Sequence, residues 1–312
     1  MGWGMKVGQN GRRLRAIIDC DPGVDDAIAL MVASSPDSEF ELIGVTAVAG
    51  NLPLQDTFRN ARALMAFLGR PDLPVLAGAD RPMTREPVPA IHHIHGANGL
   101  GGYELEMPIA STPTKTAIEY IIEACSQGPV TLCPIGPLTT IAQLLAKAPE
   151  VIPAIDRIVL MGGAAFVPGN VTQTAEFNIW ADPHAAAVIF NAPIEKVMIG
   201  LDVTLQVGAE PSWIETLANP GHRTALAAAA MLRGYNSGSM ALHDPCVPVF
   251  LDRPDLFDGQ RCRVSVGTED GSDGYGQTFA TPDPSGDTIV LNKVDADGVR
   301  AHVAEAIFSL GD

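Results

Sequence analysis

Positive charge is scarce in this chain of 312 residues: 20 Lys and Arg stand against 36 Asp and Glu, a formal net charge of −16. So acidic a protein repels phosphate backbones and anionic lipid surfaces, which excludes nucleic acid and membranes as its main partners and favours a cation or a neutral polar ligand. Cysteine is sparse as well. The five residues Cys20, Cys125, Cys133, Cys246 and Cys262 are odd in number and never form a C-x-x-C pair, which argues against a zinc site or a disulfide framework and for reduced thiols in a cytoplasm. No uncharged apolar run is long enough to cross a bilayer. The opening residues 1–13, "MGWGMKVGQNGRR", lack the apolar core of a secretory signal and read as a flexible leader. There is no internal repeat and no low-complexity tract. A soluble cytoplasmic protein is expected.

What the chain does have is apolar mass. Hydrophobic residues make up 46% and charged residues 18%, enough for a large core, and the length suits one large α/β domain over 1–312. Strand-like runs ("LRAIIDCD", "FELIGVTAVAG", "PVLAG", "PVTLCPIG", "DRIVLMGG", "EKVMIG") alternate with segments of helical period. The helical segments include "DDAIALMVASS", "LQDTFRNARALMAFLG", "TKTAIEYIIEAC", "LTTIAQLLAKA" and "DPHAAAVIFNA". This alternation predicts an open, doubly wound, mostly parallel sheet. Two stretches break the rhythm. Residues 80–113 read as a long loop with no element of its own, and residues 261–292 as a small antiparallel region before a final helix, "DADGVRAHVAEAIFSL".

Ligands of open parallel sheets sit beyond the carboxyl ends of the strands. After the first strand the chain reads "DCDPGVDD", with Asp19, Asp21, Asp25 and Asp26 in eight positions and no Lys or Arg between Arg15 and Arg59. One of these aspartates can serve as a helix cap, worth about 0.5–2 kcal/mol. Capping does not account for the rest, because clustered carboxylates without a counter-charge are driven towards protonation. A hard divalent cation, Ca²⁺ or Mg²⁺, is the economical counter-charge for oxygen-only ligands. The spacing is wrong for an EF-hand, since Pro22 and Gly23 fall where ligands should be. A D-x-D after a first strand also begins haloacid-dehalogenase-type phosphatases, which remain a rival.

The segments "DCDPGVDDAIAL", "VAGN", "PIGPLTTIA", "AEFNIWADPHAA" and "HDPC", in this order across nearly the whole chain, resemble the inosine–uridine-preferring nucleoside hydrolases. The resemblance implies an open α/β fold, a tightly held Ca²⁺, hydrolysis of ribonucleosides to ribose and free base, and assembly as a homodimer or homotetramer. It further implies that Asp21, Asp26 and Asp244 hold Ca²⁺ by their side chains and Ile135 by its carbonyl. Asp21 would also take the proton of the attacking water, while Asp25, Asn51, Asn170, Glu176 and Asn178 hold the ribose. His243 would protonate the departing base. Within "HHIHGANGLGG", residues 92–102, His95 is the expected contact, with Gly96, Gly99, Gly101 and Gly102 as hinges.

Base preference is read as broad or leaning to pyrimidines. Tyr235, taken to lie on the helix "TALAAAAMLRGYNSGS", occupies a position where pyrimidine-preferring relatives often carry a tyrosine, although Met231 departs from their pattern. Thr140 is read as a helix-start residue that serves local capping. The acidic loop "EDGSDGYGQ", residues 269–277, reads as a turn rather than a second cation site. A non-catalytic, calcium-dependent ribose-binding module is the second rival, and the presence of Asp21 and His243 weighs against it.

Overall fold

The computed structural model describes residues 13–107, 113–219, 221–238 and 240–311. Apart from Arg13, the leader expected over residues 1–13 lies outside them.

Nine strands form one sheet: β1 (Leu14–Cys20), β2 (Phe40–Ala47), β3 (Val75–Ala77), β4 (Val130–Pro134), β5 (Ile155–Met161), β6 (Lys196–Ile199), β7 (Phe257–Val266), β8 (Thr278–Pro282) and β9 (Thr288–Val294). Their order is β3-β2-β1-β4-β5-β6-β9-β7-β8. All neighbours from β3 through β9 run parallel, and only β7 is antiparallel, to both β9 and β8. The predicted doubly wound sheet is therefore present. The C-terminal strands extend it, because β9 pairs in parallel with β6 instead of forming a separate hairpin.

Twelve α-helices are assigned among the described residues. They are α1 (Val24–Ala33), α2 (Leu54–Phe67), α3 (His92–His95), α4 (Ala117–Ser126), α5 (Thr139–Lys147), α6 (Phe177–Ala181), α7 (Pro183–Asn191), α8 (Leu201–Thr204), α9 (Pro211–Ala218), α10 (Arg223–Arg233), α11 (Cys246–Asp252) and α12 (Ala296–Leu310). Their burial follows from composition. All ten residues of α1 are buried, because the helix is apolar around most of its circumference and packs between the sheet and α10, α11 and α12. The amphipathic α4 and α5 bury one face each, on the opposite side of the sheet. No described helix is long and apolar enough to cross a membrane.

Two local expectations need correction. The stretch 80–113 is not wholly irregular, since His92–His95 form one helical turn; residues 108–112 lie outside the described residues. Tyr235 is not on α10, which ends at Arg233 with Gly234 as its cap. Glycine is a poor helix former and a common terminator, and it ended the helix before the tyrosine.

The topology fixes where a ligand can sit. From β1 the chain winds outward to β2 and β3, then returns to β4 on the other side of β1 and winds away through β5 and β6. The connections leaving β1 and β4 diverge, and a crevice opens beyond their carboxyl ends.

Candidate active site

Four carboxylates crowd that crevice. Asp21 follows β1, Asp25 and Asp26 lie in the first turn of α1, and Asp244 stands just before α11, separated from it by Pro245; all are buried. Side chains link them in sequence, Asp21 to Asp26, Asp26 to Asp244 and Asp244 to Asp25. Ligand oxygens of Asp25, Asp26 and Asp244 lie within 4.8 Å of one another. Burial first, and mutual repulsion after it, raises the pKa of Asp21 and Asp25, Asp25 to about 7; Asp244 is raised well above the carboxylate range for the same reasons. Asp26 is raised by burial, while hydrogen bonds from Gly23 and Asp21 oppose the shift.

Local geometry aims each group. The Asp26 carboxylate accepts the backbone N–H of Gly23 (2.9 Å) and of Asp21 (3.0 Å) and the side-chain amide of Asn51 (3.2 Å). It is thus both the helix cap that the sequence allowed and a member of the cluster. Asp21 accepts the Asn51 N–H at 2.6 Å. Gly50 and Gly136 close on its carboxylate so tightly that a Cβ would lie 2.1 and 2.5 Å from its oxygens. No side chain larger than hydrogen fits at either glycine without displacing Asp21.

The cluster floors a cleft of about 430 Å³. Asp25, Asn51, Ile135, Asn170, Glu176, Asn178, His95, Tyr235, His243 and Asp244 all line it. The structure therefore brings together every residue that the resemblance assigns to the site, with Asp21 and Asp26 beneath. The cleft lining contains no Lys or Arg. Glu176 caps α6, accepting the N–H groups of Gly163 (2.9 Å), Asn178 (2.9 Å) and Ile179 (3.2 Å). Asn178 donates its amide to the carbonyls of Ile135 (2.8 Å) and Met161 (3.1 Å). Asn170 accepts the Phe177 N–H at 3.0 Å, which closes the loop between β5 and α6.

Both histidines are buried and neutral. The His95 Nδ1 accepts the Val24 N–H, the first of α1, at 3.0 Å. A ring that must accept at Nδ1 carries its proton on Nε2. Burial lowers its pKa to about 3. Its ring packs on Tyr235, centroids 5.4 Å apart, and the Tyr235 hydroxyl is turned towards Asp25. His243 shares a hydrogen bond between Nδ1 and the Thr204 hydroxyl at 2.8 Å, and burial lowers its pKa to about 4. Gly96, Gly99, Gly101 and Gly102 all take positive φ, from 62° to 82°, a region that favours glycine.

Several contributors had no signal in the sequence. Thr204 ends α8, far in sequence from the His243 it meets. Asp202 accepts the N–H groups of Ala165 (2.8 Å) and Phe166 (2.7 Å) and so shapes the loop after β5. Thr140 does not cap α5. Its hydroxyl accepts the Ala79 N–H at 3.2 Å and bonds to Asp19. Asp19 itself is wholly buried, with one carboxylate oxygen unpartnered and its pKa raised by burial to about 7.

The family model described as inosine-uridine preferring nucleoside hydrolase matches residues 16–301. The chain is 43% identical over 265 residues to the pyrimidine-specific ribonucleoside hydrolase RihA of Shewanella baltica (strain OS155), covering 81% of this chain and 82% of that protein. It is 40% identical over 309 residues to the non-specific ribonucleoside hydrolase RihC of Escherichia coli (strain SE11), covering 95% and 98%. The solved structure of a purine-preferring ribonucleoside hydrolase from Gardnerella vaginalis superposes with a TM-score of 0.88 at 31% identity, over 95% of this chain and 98% of that one.

Proposed function

This chain belongs to the inosine-uridine preferring nucleoside hydrolase family, N-glycosidases of ribonucleosides, and on that premise we propose that its reaction depends on Ca²⁺ and accepts pyrimidine nucleosides or a broad range of bases. The observation that carries the calcium reading is the buried, oxygen-only cluster of carboxylates with no Lys or Arg in the cleft above it.

The donor set fits such an ion. Two oxygens on one Ca²⁺, each about 2.3–2.6 Å from it, can be at most about 5 Å apart, and the oxygens of Asp25, Asp26 and Asp244 meet that limit. Raised pKa values mean that the protein itself does not balance the charge these carboxylates would carry when ionised. Of the four, Asp25 and Asp244 face the open cleft and Asp21 and Asp26 lie beneath. Family membership, rather than this grouping, assigns Asp21, Asp26, Asp244 and the Ile135 carbonyl to the ion and Asp25 to the ribose hydroxyls. When bound, calcium would neutralise the cluster, grip the sugar diol and increase the acidity of a water molecule.

The remaining roles belong to the chain's own groups. Asn51, Asn170, Glu176 and Asn178 bind the ribose and hold it still. Asp25 and Glu176 place negative charge beside a ring that becomes oxocarbenium-like as the C–N bond breaks. Asp21 accepts a proton from the water that adds to the anomeric carbon, and the C–N electron pair leaves with the base. His243 delivers a proton to that base. It acts as the imidazolium, taking its proton from solvent, and transfer of that proton to the leaving base nitrogen returns the ring to the neutral form that burial favours. His95 offers its Nε2–H, and Tyr235 an aromatic face, to the bound nucleoside.

The test is an assay of uridine, cytidine, inosine and adenosine, with and without chelator. Hydrolysis of the pyrimidine nucleosides that stops on chelation and returns with Ca²⁺ is expected. Phosphate release from a sugar phosphate without any nucleoside turnover would contradict the reading.

A further inference from the structure

Beside the cleft, three segments distant in sequence meet around one guanidinium. Arg85 donates Nη1–H to the Trp180 carbonyl at 2.6 Å, lies 4.0 Å above the Trp180 ring centroid and 5.6 Å from that of Tyr275. Its two neighbours are fastened to the same region. The Met83 N–H reaches Asp182 at 2.8 Å, and the Thr84 hydroxyl meets His184 Nδ1 at 2.8 Å. From the third segment, Gly276 presses on Trp180, where a Cβ would lie 2.8 Å from the Trp180 Cα. The same turn holds the loop of Asn170 and Glu176, because Thr174 donates to the Asp273 carbonyl at 2.9 Å and Ala175 bridges to Gln277.

Two of these segments lead into the nucleoside site and the third braces it. Trp180 belongs to α6, which has five residues, too short to persist unaided. Glu176 caps its amino end. Arg85 holds a carbonyl of its last turn, where a cation is favoured, and stacks on its aromatic side chain. Asn178 is fixed between those two restraints. Arg85 also anchors the root of the arm that, seven residues on, begins the turn bearing His95.

We propose that Arg85 is a positioning residue of the nucleoside site: bracketed by Trp180 and Tyr275, it ties the arm bearing His95 to the one-turn helix bearing Asn178. This rests on the functional reading above. Arg85 does not line the cleft, so its loss lowers the fraction of molecules with both halves of the site in register and weakens apparent substrate affinity without touching the chemical step.

The test compares Arg85→Ala, Arg85→Lys and Tyr275→Leu with the wild type, by uridine kinetics and by amide hydrogen exchange across residues 91–101. Arg85→Ala should raise KM about tenfold with kcat held within about threefold, and exchange around His95 should quicken. Arg85→Lys keeps the charge and loses the planar stack, so its KM should be intermediate. Tyr275→Leu removes one wall only and should raise KM about threefold, which keeps the test open if Arg85→Ala does not fold. Unchanged KM and unchanged exchange in a variant that merely melts earlier would overturn the proposal. A wild type that hydrolyses no nucleoside sinks the functional reading instead, and the exchange data would still decide whether Arg85 holds the arm.

Discussion

Raising the pH from 5 to 8 should destabilise the calcium-free protein far more than the calcium-loaded one. Burial and repulsion lift Asp25 from 3.8 to about 7. A carboxyl group whose folded pKa exceeds its unfolded pKa imposes no penalty below 3.8. The penalty grows as pH climbs through the interval, and it is complete above 7. At about 1.4 kcal/mol per pH unit, this one residue costs the folded chain about 4 kcal/mol at neutral pH, a large share of the roughly 5–15 kcal/mol that holds a domain together. Asp21 and Asp244 are raised for the same reasons and act in the same direction. Only the rise from pH 5 to about 7 falls inside this range, about 3 kcal/mol from Asp25; for a chain of this size about 1 kcal/mol moves Tm by about 2 °C, so a loss of roughly 5 °C or more is expected between pH 5 and 8 in chelator. Calcium should recover most of it at pH 8 and little at pH 5, where protons compete for the ligands. Asp19, also raised to about 7 but removed from the proposed ligands, leaves a residual fall that calcium does not cure. Thermal melts followed by circular dichroism across that range provide the readout. Parallel profiles with and without calcium would refute the reasoning.

His243→Ala should lower kcat/KM for uridine about 100-fold or more, in the range ascribed to general acids. It should lower kcat/KM for p-nitrophenyl riboside, whose leaving group needs little protonation, less than about tenfold; equal losses would remove the acid role. Deoxyuridine withholds one hydroxyl from a site built of buried polar groups, so its kcat/KM should fall by about 10⁴ relative to uridine. Turnover of the two nucleosides within tenfold of each other would contradict the diol assignment.

The sequence disclosed the site where it is local. Asp21, Asp25 and Asp26 fall within one strand end and one helix start, so a single octet displayed both the crowding and the missing counter-charge. The alternation of apolar runs was likewise enough for the doubly wound sheet, because the central parallel strands are largely buried on both faces and read as mostly apolar runs. Asp244, Asn178 and Ile135 are brought in from separate segments of the chain, and only the resemblance of their surrounding motifs tied them to the octet. Other features depend on packing alone. Thr204 meets His243 across 39 residues of chain, Asp182 collects donors from Met83, Thr139 and Ala185, and His95 is seated by an N–H of α1. None of these contacts leaves a periodicity or a spacing to read. Tyr235 shows a different failure, since apolar and polar residues kept helical rhythm past Gly234 while the backbone stopped there.

Titration of Ca²⁺ into chelator-stripped protein at pH 7.5, followed by calorimetry, bears most directly on what holds this site together. One ion per chain should bind to the wild type, and Asp244→Asn should weaken the affinity about 100-fold or more while the fold persists by circular dichroism. No calcium binding in the wild type, or equal affinity in the variant, would mean that the buried carboxylates are not gathered around an ion.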